Sequence, residues 1–108
     1  MTKVGEHITL DIIGTTKEYD PVVFEKVIHD IAKAAKVTIL NISKYKFEPQ
    51  GFTILALLAE SHISFHTFPE KGIISFDFFT CGKVNPSVAI DIIKKAVSYT
   101  HLRAHETT

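Results

Sequence analysis

Four strand-like runs follow one another between Val37 and Phe79, with no helical pattern to separate them. Val37 to Ser43 is rich in β-branched residues, which suit a pleated surface. After the loop signal Pro49-Gln50-Gly51, Phe52 to Ala59 is nearly all apolar, the pattern of a strand covered on both faces. Ile63 and Phe65 then alternate with Ser64 and His66. Pro69-Glu70-Lys71-Gly72 supplies a turn, and Ile73 to Phe79 reads as the partner strand of a hairpin.

The flanks add one more strand and two helices. Ile8, Leu10 and Ile12 alternate with His7, Thr9 and Asp11, a half-buried strand over residues 7–13. Asp20-Pro21 supplies an N-cap and a proline at the first helical position. Phe24, Val27, Ile28, Ile31 and Ala35 continue at helical spacing to about Lys36. Asn85-Pro86 caps a second helix that carries Val88, Ala89, Ile92, Ile93 and Ala96 on one face. The order β-α-β-β-β-β-α predicts an α+β two-layer sandwich, with a mainly antiparallel sheet and both helices on one face. Residues 1–97 form the single domain. Ser98 to Thr108 is polar and aperiodic, and reads as a disordered or non-native tail or as a weak final strand.

At 108 residues the chain is one domain with a modest core, so dimerisation would add burial. Lys and Arg are spread along a chain of zero formal net charge, unlike the basic stripe that a nucleic acid requires. No apolar run approaches the ~20 residues of a membrane span. The start, Met1 to Glu6, lacks a signal-peptide core, so no membrane association and a cytoplasmic location are expected. Cys81 stands alone, which excludes an internal disulfide and a multi-thiolate metal centre. Among six histidines only His62 and His66 are suggestively spaced. An i, i+4 pair on a strand is a weak metal site, so no metal is expected.

The chemistry concentrates in Ala59-Glu60-Ser61-His62-Ile63-Ser64-Phe65-His66-Thr67-Phe68-Pro69-Glu70, followed by Phe79-Thr80-Cys81-Gly82. This segment resembles the self-cleavage and active-site region of the bacterial and archaeal S-adenosylmethionine decarboxylases. The likeness is dense from Phe47 to Gly82, and weaker but collinear from Gly5 through the first helix. It implies that the chain cuts itself between Glu60 and Ser61. The Ser61 hydroxyl would attack the Glu60 carbonyl carbon in an N-to-O acyl shift, which needs a well-placed peptide and a stabilised oxyanion. Removal of the Ser61 α-proton then expels the Glu60 carboxylate by β-elimination. Hydrolysis of the remainder loses ammonia and leaves a covalent pyruvoyl group, the cofactor.

Site residues follow from the same resemblance. His66 is the processing base, a task suited to an imidazole. Strict strand alternation places Ser61 and His66 on opposite faces, so a bend at the junction is expected to bring them together. Thr53 occupies the place of a family serine whose hydroxyl assists processing, within Gly51-Phe52-Thr53-Ile54 where Gly-Val-Ser-Gly is usual. Cys81 matches the acid that returns a proton to the substrate α-carbon, and a thiol near its reference pKa is mostly protonated at neutral pH. Phe47 matches the aromatic that stacks on adenine, and Glu70 the acid that binds ribose hydroxyls. Phe68 and His7 complete the substrate-binding set.

The resemblance implies a small-molecule substrate and a homodimer of cleaved protomers, each active site lined by both copies. S-adenosylmethionine is the first substrate it points to, in polyamine synthesis. A pyruvoyl-dependent arginine or ornithine decarboxylase is the second reading, with Glu48 available to a cationic side chain. An unprocessed, non-catalytic dimer partner is the third.

Overall fold

The computed structural model describes residues 6–15, 19–59, 61–80, 87–97 and 101–107. Alternation along β1 (Glu6–Ile13) sends Ile8, Leu10 and Ile12 into the core and leaves His7, Thr9 and Asp11 half-buried on the other face. At the start of α1 (Pro21–Ala35) the Asp20 carboxylate accepts the Val22 N–H at 2.9 Å. The helix ends at Lys36, whose left-handed backbone (φ 59°) lets its N–H reach the carbonyls of Ala32 and Lys33. Its apolar stripe, Phe24, Val27, Ile28, Ile31 and Ala35, is buried as the spacing predicts.

β2 (Ile39–Lys46), β3 (Phe52–Leu58) and β4 (Ser61–Phe68) follow; a single 3₁₀ turn over Pro69–Lys71 then leads into β5 (Ile73–Thr80). The last elements are α2 (Val88–Ala96) and β6 (His101–Thr107). The strands form one antiparallel sheet in the order β2-β3-β4-β5-β1-β6. Both helices contribute to the core on one face of this sheet: Phe24 of α1 lies 4.8 Å, ring centre to ring centre, from Phe65, which lies 4.9 Å from Phe76. The expected α+β two-layer architecture is the one observed. The expected Asn85-Pro86 cap lies outside the described residues. No helix among them is long and apolar enough to cross a membrane.

Two features depart from the sequence reading. The order β-α-β-β-β-β-α gains a sixth strand after α2: residues 101–107 pair antiparallel with β1, Leu102 opposite Ile12, which is the final strand that stood as one of the two readings of this stretch. An edge strand is held by backbone bonds to one neighbour and can be polar, which is why periodicity alone did not single it out. The second departure is β3. Phe52, Ile54, Ala56 and Leu58 are buried, but Leu55 and Leu57 on the opposite face remain 46% and 53% exposed. Among the described residues, nothing covers that second face. Tyr45, Phe47 and Phe68 extend this exposed apolar band.

Gly51 seats the β2–β3 loop against β4. Its φ of +93° is strained for any residue with a side chain, and a Cβ there would stand 3.0 Å from the Thr67 carbonyl oxygen. The Phe47 N–H bonds the Gly51 carbonyl at 2.8 Å, closing the turn. The Thr67 hydroxyl accepts the Phe52 N–H at 2.9 Å and pins the loop's far end. Gly51→Ala is therefore expected to lower stability by about 1–3 kcal/mol, read as a drop in thermal midpoint. An unchanged midpoint would show that the loop is not held as described.

Candidate active site

Antiparallel register brings the first part of the site together. Thr53 on β3 stands directly opposite His66 on β4, and its Oγ1 lies 2.9 Å from His66 Nδ1. Both side chains sit on the sheet face away from the helices, because alternation turns Ile54 and Phe65 toward the core. Past β4, the Pro69 turn carries Glu70 back over this face, where Gln50 Nε2 donates to Glu70 Oε2 at 3.4 Å. The Gly51 turn brings Phe47 alongside. Phe47, Gln50, Thr53, His66, Phe68 and Glu70 thus line a cavity of about 270 Å³. Gln50 was not singled out from the sequence, since a lone amide in a loop carries no periodic signal.

The second part of the site lies at the other end of β4. Ser61 is the strand's first residue, opposite Leu58 across a tight β3–β4 connection, and is buried on the helix side. Its hydroxyl turns back to the Ala59 carbonyl oxygen at 3.5 Å. β4 keeps its register with both neighbours up to Phe68, so the expected bend at the junction does not form. Five residues of extended strand separate Ser61 from His66, about 17 Å, with the side chains on opposite faces. One chain therefore does not bring Ser61 and His66 together. Glu60 and Cys81 lie outside the described residues.

His7 also stands apart from the cavity. Its Nε2 is bonded to the Asp77 carboxylate, and His62 Nε2 approaches the other oxygen of that carboxylate at 3.5 Å. Phe79 stacks on His62 and meets His7 edge-on, with ring centres 5.9 and 6.1 Å away. This His7–Asp77–His62 group, drawn from the adjacent strands β1, β5 and β4, escaped the sequence reading. Its members are up to 70 residues apart and share only their strand parity. Their donor atoms lie within 4.8 Å of one another, a grouping that could hold a divalent ion where sequence spacing predicted none. A hollow of about 590 Å³ between α1 and α2 is lined by none of the candidate site residues.

The structure matches the crystal structure of the adenosylmethionine decarboxylase from Aquifex aeolicus VF5 with a TM-score of 0.86 and 29% identity, over 99% of this chain and 91% of that one. The chain belongs to the S-adenosylmethionine decarboxylase family, whose model matches residues 6–108. It is 39% identical over 92 residues to an S-adenosylmethionine decarboxylase proenzyme of Brevibacillus brevis, covering 82% of this chain and 69% of that protein. A proenzyme of the same description from Methanococcus maripaludis is 42% identical over 98 residues, covering 88% and 80% respectively.

Proposed function

We propose that this chain is a self-processing carboxy-lyase that decarboxylates S-adenosylmethionine, supplying polyamine synthesis. The observation that carries the reading is the convergence of Phe47, Thr53, His66, Phe68 and Glu70, chosen by resemblance alone, on a single cavity. Phe47 and Phe68 offer flat apolar surfaces to an adenine ring. The exposed Glu70 carboxylate accepts hydrogen bonds from a ribose diol, with Gln50 orienting it. The Thr53 hydroxyl fixes the His66 ring, which holds or takes a proton at its other nitrogen. Cys81, by its place after Thr80, is assigned the return of a proton to the substrate.

Ser61 fits the precursor of a pyruvoyl group. It opens a strand directly after a tight turn, and its hydroxyl turns back to the Ala59 carbonyl oxygen. A pyruvoyl group supplies a ketone that condenses with a substrate amine and accepts the electrons left when carbon dioxide departs. The competing substrates find less support. Glu48, the acid available to an arginine or ornithine side chain, is exposed and does not line the cavity.

A homodimer supplies what one chain lacks. The exposed band of Leu55, Leu57, Tyr45, Phe47 and Phe68 calls for a cover. A second copy related by a two-fold axis presents the same band in return. Two β4 strands facing each other in opposite directions set the Ser61 end of one copy against the His66 end of its partner. The test is carbon dioxide release from matured protein given S-adenosylmethionine, arginine or ornithine. Release from S-adenosylmethionine alone is expected, and activity confined to a basic amino acid would overturn the assignment.

A further inference from the structure

The hydroxyl of Thr80, the last residue of β5, is almost fully buried, at 1% residue exposure, and has no hydrogen-bond partner among the described residues. Burying a hydroxyl without a partner costs about 1–3 kcal/mol. A valine of the same shape would avoid that cost, so packing alone does not account for threonine here. Its position suggests what does. β4 and β5 pair with His62 opposite Phe79, and continuing this register by one residue sets Ser61 opposite Thr80. Both residues are buried on the helix side of the sheet. Directly opposed residues on one face have Cβ atoms about 5 Å apart, within reach of a hydroxyl–hydroxyl bond after a small side-chain rotation. Ser61 meanwhile makes only a long 3.5 Å contact to Ala59.

We infer that Thr80 is a positioning residue for self-cleavage. Its hydroxyl bonds the Ser61 oxygen as the junction moves into attack geometry and aims that oxygen at the Glu60 carbonyl carbon. The reaction is otherwise unchanged: Thr80 gives up no proton and forms no covalent bond. The inference rests on the self-cleavage reading above.

Freshly purified full-length wild type, Thr80→Val and Thr80→Ser are followed by denaturing mass analysis over time, with thermal melting of each uncut chain. Thr80→Val is expected to melt no lower than wild type yet cleave at least ~10-fold more slowly, the effect of losing one hydrogen bond at the reacting centre. Thr80→Ser, which keeps the hydroxyl, is expected to cleave within ~3-fold of wild type. Cleavage of Thr80→Val at the wild-type rate would overturn the inference. So would slow cleavage accompanied by a lower melting temperature, because the hydroxyl would then serve the fold. A wild type that never cleaves would refute the self-cleavage reading itself, a separate result.

Discussion

Ser61→Ala is expected to yield one intact chain with no decarboxylase activity, and wild type to yield residues 1–60 and 61–108 as separate chains. The substitution removes a single oxygen that serves folding very little. Its only hydrogen bond among the described residues is the 3.5 Å contact to the Ala59 carbonyl, and the site is already buried at a strand end that alanine can occupy. The stability cost should stay below about 1 kcal/mol. The chemical cost is total, because alanine has no nucleophile for the acyl shift and no β-leaving group for the elimination. Denaturing mass analysis reads the uncut chain directly. A hydrazine that traps carbonyls should label the matured wild type and leave the variant untouched. Cleavage of Ser61→Ala at the same bond would remove Ser61 from the nucleophile's place.

The fold was legible wherever a single period decided burial. Ile8, Leu10 and Ile12 announced β1, and Phe24 through Ala35 announced α1, because each lies against a core that one chain completes. Reading failed where burial depends on something beyond the local segment. Leu55 and Leu57 suggested a strand covered twice, yet no described residue covers them. β6 alternates only at Leu102 and Ala104, too short a run to declare a strand, and its place is fixed by backbone pairing to β1. The site divided in the same way. Phe47, Thr53, His66, Phe68 and Glu70 lie close in sequence and converge through one loop, one register pair and one turn. His7, Asp77 and His62 meet only because β1, β5 and β4 are neighbours, an order that spacing along the chain cannot reveal. Alternation correctly set Ser61 and His66 on opposite faces; the proposed second chain brings the two ends of β4 together, and the Ser61 hydroxyl has then only to turn from the helix side at the strand's first residue, with no bend along the strand.

Mixing two inactive variants is expected to restore activity. Ser61→Ala lacks the nucleophile at one end of β4, and His66→Ala lacks the base at the other. If each active site takes Ser61 from one protomer and His66 from its partner, a mixed dimer holds one site missing both groups and one site missing neither. Random pairing makes half of the dimers mixed, each with one intact site of two, so co-expression should recover about a quarter of wild-type activity. Each variant alone should fall by at least ~10², the usual loss when a general acid–base or a nucleophile is removed. If both residues served a site within one protomer, every site in the mixed dimer would lack one of them and nothing would be regained. The structure favours recovery, because about 17 Å of straight, fully paired strand separates the two side chains within a chain. Carbon dioxide release from the co-expressed mixture, with mass analysis showing cleaved Ser61 chains, decides the matter. An activity no higher than that of either parent would place the whole site within one protomer, and would require β4 to leave the sheet to build it.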